Sequence, residues 1–137
     1  MENGCRFLDF EVYNINGQPE IGYSTSGYQP SQTIPELESD TLPIFDIFNK
    51  IMELRSAGSV PNKRDPLFLH FRIKSDEMSL LEKMAESLVS SGMSDPLVLA
   101  TDVKPDTMIS DLENKIVFIV DKSYVPKIKD KGNAKFF

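Results

Sequence analysis

One cysteine, Cys5, is all that 137 residues hold of that type, which excludes an internal disulfide and any thiolate metal cluster and fits a reducing compartment. Long apolar runs are missing too. With no window of about 18 apolar residues and no charged-then-apolar leader, the expectation is a chain that neither spans a membrane nor carries a secretion signal. The matching expectation is a place inside the cell, soluble or peripheral. Clustered positive charge is also scarce over most of the length: 15 Lys and Arg against 21 Asp and Glu leave a net charge of -6, which argues against nucleic acid as a partner. The exception is the end of the chain, where Lys122, Lys127, Lys129, Lys131 and Lys135 make a basic tail. It reads as a solvated end, with an anionic lipid surface as the alternative contact. Internal repeats and low-complexity tracts are absent.

What is present is ordinary for a globular domain: 40% apolar and 26% charged residues over one domain's length, enough to bury a core. The organising stretch is residues 65–75, DPLFLHFRIKS. Strand alternation turns Leu67, Leu69, Phe71 and Ile73 one way and Phe68, His70, Arg72 and Lys74 the other. The apolar row calls for helices over it. The polar row, with the chain's only histidine beside an arginine, calls for water, a ligand or carboxylates.

Residues 6–13, RFLDFEVY, alternate in the same manner, with Leu8, Phe10 and Val12 on one face and Phe7, Asp9, Glu11 and Tyr13 on the other. Asn16-Gly17 is suited to a turn at positive φ, and a short extended piece follows over residues 20–24. Residues 25–40, rich in Ser, Thr, Gly, Pro and Gln, read as a long loop. A helix capped by Asp40 or Thr41, with Pro43 in its first turn, carries the stripe Ile44, Phe45, Ile47, Phe48, Ile51, Met52 and Leu54 and stops at Gly58. A second, capped by Ser75 or Asp76, carries Leu80, Leu81, Met84, Leu88 and Val89 and stops at Gly92. The piece PLVLA after Asp95 fits either state, and residues 107–114 read as a short helix. Residues 115–121, KIVFIVD, read as a strand covered on both faces.

Strands alternating with helices predict an α/β fold of parallel βαβ units. A polar lining opposite a helix-covered face fits part of a (β/α) barrel of the TIM type better than an open sheet. Chemistry in such barrels sits at the carboxyl ends of the strands. Asp9, Glu11, His70 and Arg72 occupy that end, with Asp121 a further candidate.

Gly4-Cys5-Arg6-Phe7-Leu8-Asp9-Phe10-Glu11-Val12-Tyr13, running into Gly17-Gln18-Pro19-Glu20-Ile21, resembles the catalytic X region of phosphatidylinositol-specific phospholipase C, in which a Gly-Cys-Arg strand bears two acidic residues ahead of a Gly-x-Pro turn. Residues 65–75 and 115–121 are similar to two later strands of the same half barrel, and the spelling of the middle strand resembles divergent X-like proteins of large DNA viruses. The resemblance implies a half barrel of the phospholipase C-like phosphodiesterase kind over residues 3–125, with residues 126–137 as the lysine-rich tail. It implies attack of an inositol 2-hydroxyl on a phosphodiester, two histidines moving protons, and a calcium ion or an arginine stabilising the phosphate. The first of those histidines is expected upstream of Gly4-Cys5-Arg6; at the place of the second stands Ile21-Gly22-Tyr23-Ser24-Thr25. Asp9 and Glu11 match two acidic positions able to hold Ca2+ through oxygen. The family's further acidic residue, on the middle strand, aligns with Arg72, which predicts a carboxylate–guanidinium network where the ion would sit.

Two functions follow. The first is a non-catalytic X-like module, structural or interacting, without a cofactor, a virion component if viral, whose open sheet is completed by a second copy or another chain. The alternative is an active phosphoric diester hydrolase on phosphoinositides or related phosphodiesters, with Arg72 binding phosphate and His70 as the acid or base.

Overall fold

The computed structural model describes residues 1, 3–23, 40–62 and 64–120. The loop expected over residues 25–40 (Asp40 apart), Asp121 and the lysine-rich tail therefore lie outside the described residues. The first turn decides the topology. Strand β1 (Phe7–Ile15) and strand β2 (Gln18–Gly22) pair antiparallel with Ile15 opposite Gln18, leaving Asn16 and Gly17 as a two-residue loop. Both have positive φ, 52° and 78°, the geometry for which Asn-Gly is favoured because its twist matches that of the strands it joins. Lys83 of the second helix donates to the Gly17 carbonyl and holds the loop against the body.

Strand β3 (Leu42–Pro43) pairs antiparallel with β2, whereas strand β4 (Leu67–Lys74) pairs parallel with β1, and strand β5 (Ile116–Val120) parallel with β4. The sheet order is β3-β2-β1-β4-β5. It is mixed, where strand–helix alternation predicts parallel pairing throughout. The difference arises because two residues connect β1 to β2, and a loop that short allows only a hairpin; the parallel pairs have whole helices in their connections.

Those helices are α1 (Ile44–Ser56) and α2 (Met78–Ser90). The step from β1 to β4 and the step from β4 to β5 go the same way across the sheet, and both helices pack on one face of it. Ile44, Phe48 and Ile51 of α1 and Leu80, Leu81, Met84, Ala85 and Leu88 of α2 are buried against Leu67, Leu69, Phe71 and Ile73 of β4, as their periodicities predict. Phe45 and Val89, expected on the stripes, are exposed. Phe71 is the hub, stacked on Phe10 at 5.7 Å and edge-on to Phe48 at 6.1 Å and Phe118 at 5.0 Å. Such ring pairs add about 0.5–1.5 kcal/mol each beyond the area they bury.

The helix starts differ from the sequence reading. Neither Asp40 nor Thr41 caps α1: β3 takes Leu42 and Pro43, and Pro43 itself stands at the N-cap. Pro43 suits both roles, since it fixes φ and brings no amide that the ladder or the first turn must satisfy. For α2 the Ser75 hydroxyl accepts from the Glu77 amide at 3.2 Å, one turn ahead of the helix rather than at its cap. The PLVLA piece begins as an extension of the sheet, Leu97 bridging Ile116, and turns at Ala100–Asp102 into a 3-10 helix. The helix expected over residues 107–114 is a 3-10 turn, Ile109–Leu112. In β5 only Ile116 is fully buried and Val117 to Val120 are half-buried, so among the described residues the strand is not covered on both faces; past the Leu97 bridge no described strand pairs with its outer edge.

Candidate functional site

Parallel pairing of β1 with β4 sets Asp9 opposite His70, Glu11 opposite Arg72 and Tyr13 opposite Lys74. Alternation turns all six away from the helices, and the register places unlike charges side by side. From β2, Glu20 joins this face opposite Tyr13, its carboxylate accepting from the Thr41 hydroxyl.

Arg72 stands at the centre. Its Nη2 lies 2.6 Å from Asp9 Oδ2 and its Nε 3.3 Å from Asp9 Oδ1, a two-point grip on one carboxylate. The third nitrogen, Nη1, reaches Glu11 Oε1 at 3.0 Å. His70 Nδ1 is 2.7 Å from Asp9 Oδ1; a carboxylate only accepts, so Nδ1 carries the proton and Nε2 is the ring's other nitrogen. Tyr13 donates to Glu11 Oε2 at 2.8 Å, and Lys74 Nζ stands 3.8 Å from Glu11 Oε1. All four oxygens of the two carboxylates thus face donors.

The two acids sit in different surroundings. The Glu11 side chain is 9% exposed, beside the fully buried Tyr13, while that of Asp9 is 38% exposed. Burial alone would raise the Asp9 carboxyl, but hydrogen bonds from Arg72 and His70, and then their charges, outweigh it and hold the group below its ordinary value. Reciprocally, the Asp9 hydrogen bond, with the charges of Asp9 and Glu11, pushes the Arg72 guanidinium further up against desolvation.

Calcium collects roughly six to eight oxygens. Here the guanidinium fills the gap between the two carboxylates, and among the described residues no three His, Cys, Asp or Glu side chains converge as a metal group. The residues do not fit the ion. Phosphate fares little better, since Arg72 directs all three nitrogens at carboxylates.

Sequence reasoning named Asp9, Glu11, His70 and Arg72, and the fold brings these four together; Asp121 lies outside the described residues. Tyr13 and Lys74 were missed as members of the site, although the same period of two that selects Asp9 and Arg72 also selects them. Glu20 and Thr41 had no signal, because their place depends on the hairpin.

The comparisons with known proteins bear on the fold. No protein-family model and no curated protein matches this sequence. Solved structures do, among them PLC21 of L. pealei and PLC21 of S. officinalis, each of which aligns over 96% of this chain and 17% of its own, at 20% identity and a TM-score of 0.59. The chain has a phospholipase C-like fold. What a phospholipase C-like fold supplies at this identity is the arrangement of strands and helices, and this chain spans 17% of the length of those two proteins.

Proposed function

We propose that this chain is a phospholipase C X-like half barrel without catalytic activity, used as a structural or interaction module inside the cell or as a virion component. The single observation that carries the reading is the engagement of Arg72 with both Asp9 and Glu11. A lining neutralised by its own side chains has no open position for an ion and no free guanidinium for a phosphate. His70, the only imidazole, is spent on the same Asp9, so a mechanism needing separate acid and base groups has one histidine for two tasks.

The partner on this reading is a second copy or another chain that completes the sheet. Its support is the outer edge of β5 past the Leu97 bridge, Val-Phe-Ile-Val, which no described strand pairs with and which holds no charge or proline to discourage pairing, and the 52%-exposed Phe7 at the apolar end of the lining. Size-exclusion chromatography with light scattering tests the partnership: a well-folded monomer at micromolar concentration counts against self-association. A basic tail on an acidic body could add an anionic lipid contact, which should weaken steeply with salt.

The active phosphodiesterase is the second reading, favoured by one observation: Asp9 orients His70 through Nδ1, as an acid orients a catalytic imidazole, and leaves Nε2 for a substrate hydroxyl. Turnover of a phosphoinositide or a water-soluble inositol phosphodiester, with and without calcium, separates the two. Activity lost in His70→Ala establishes the enzyme; no turnover in either condition leaves the module.

A further inference from the structure

We infer that the apolar patch of Val103, Met108 and Ile109 is the seat of this chain's own lysine-rich tail, held by apolar contact at its centre and by lysine–aspartate pairing at its rim. The inference uses none of the residues that line β1 and β4, and it holds whichever reading of activity is right.

Met108 and Ile109 are 68% and 69% exposed, the two highest values among the exposed large hydrophobics of the described residues, and Val103 is exposed with them. Single exposed apolar residues are ordinary, whereas a contiguous set inside a polar rim marks a surface that something covers. Hydrogen bonds bring these three together. The Thr107 amide donates to the Lys104 carbonyl at 3.0 Å and the Lys104 amide to the Thr107 hydroxyl at 2.8 Å, closing a turn with Val103 and Met108 at its two ends. The Met108 amide donates to the Asp111 carboxylate at 3.0 Å, and the Asp111 amide to the Met108 carbonyl at 3.0 Å, which fixes Met108 and Ile109 at the head of the 3-10 turn Ile109–Leu112. The backbone is thus held by its own bonds while the side chains face water. Around them stand Asp102, Asp106 and Asp111, all exposed and none ion-paired with a described residue, against one lysine, Lys104.

That rim selects the occupant. It repels anionic headgroups, and a second copy laying the same patch on this one brings aspartates onto aspartates. The tail, residues 121–137, offers the opposite: five lysines against Asp121 and Asp130, with Ile128, Phe136 and Phe137 among them. It also starts in the right place. Leu97 bridges Ile116, so the excursion that carries the patch leaves the sheet on the outer side of β5, the strand whose last residue, Val120, is the root of the tail. From Ile116 to Val120 is about 13 Å along the strand, and a tail of seventeen residues extends up to about 55 Å. A tether this short keeps the tail at a local concentration on the order of millimolar, so modest contacts suffice to seat it.

The experiment is carbodiimide coupling of the whole chain, which joins a lysine to a carboxylate in direct contact with it. An equal mixture of unlabelled and isotope-labelled protein is coupled and read by peptide mass spectrometry, so that links within one chain carry one label and links between chains carry both. The expected result is intrachain links from the tail lysines to Asp102, Asp106 or Asp111, several-fold fewer in the double variant Met108→Ser with Ile109→Ser, and fewer at high salt. Lysyl endopeptidase should cut the tail several-fold faster in that variant than in the wild type. Phe136→Ser with Phe137→Ser removes the apolar contact from the other side and should lose the links equally; it decides the matter if the patch variant does not fold, as judged by circular dichroism. Absence of these links in the wild type overturns the inference, as does their persistence, with unchanged cutting, in the folded variants. Links that join only differently labelled chains also overturn it, since the tail then seats on another copy. So does wild-type binding to phosphatidylserine vesicles that is lost in Met108→Ser with Ile109→Ser, because the patch is then a lipid contact.

Discussion

The two ends of the parallel strands both hold arginines, and the two sets do different work. At the carboxyl end Arg72 grips two carboxylates over the inner lining. At the amino end Arg6 and Arg55 turn chiefly to backbone: Arg6 to the carbonyls of Pro61 and Asn62 ahead of β4, with its Nε also 3.4 Å from the Asp65 carboxylate, and Arg55 to the carbonyl of Asn114 ahead of β5 at 2.9 Å. Arg64, paired with Glu113 at 2.6 Å, links those two loops on the surface. Burial with the neighbouring Arg6 charge pushes the Arg55 guanidinium down, opposite in direction to Arg72. The difference teaches that one residue type stabilises by two routes here: neutralising acids where the fold needs a closed polar lining, and satisfying orphan carbonyls where loops enter strands.

The comparison breaks most visibly at Arg72. Arg72→Ala leaves the nearly buried Glu11 with Tyr13 and a distant Lys74, and is expected to cost about 3 kcal/mol in urea unfolding, at the low end for a buried pair because the guanidinium is partly solvated. If the loss is under about 1 kcal/mol, the lining is no more than a surface ion pair. Arg6→Met should cost less, about 1–2 kcal/mol, by freeing two loop carbonyls to seek water, with faster amide exchange confined to the loop before β4.

Acid provides a subtler probe of the same contrast. Because the folded Asp9 group lies below its ordinary value, its contribution is complete above about pH 4 and is lost as pH falls through the lowered value. Asp9→Asn should flatten that part of the stability profile while leaving the amino-end clasp unchanged. The smallest effect belongs to Arg64→Ala, whose side chain is 72% exposed: within about 0.5 kcal/mol, and smaller still at high salt.

How much of this was legible beforehand differs by element. The alternation in residues 6–13 and 65–75 specified both faces of β1 and β4, so the polar row and its apolar reverse were readable without coordinates. Asn16-Gly17 was readable as a turn at positive φ, yet its consequence, an antiparallel hairpin that makes the sheet mixed, was not drawn from it. Pro43 misled, because proline serves equally at a strand edge and at a helix start, and only pairing with β2 separates the two. In β5, five apolar residues in a row cannot tell a strand buried on both faces from one whose residues past Ile116 are half-buried.

By itself, then, the sequence determined the types and faces of the elements, since periodicity, turn residues and helix stops act over a few neighbours. The tertiary structure decided which strands lie side by side and in what register, since that depends on residues some sixty positions apart meeting in space. Asp9, Glu11 and Arg72 were on the right faces before folding. That one guanidinium ends between two carboxylates follows only from the parallel register of β1 on β4.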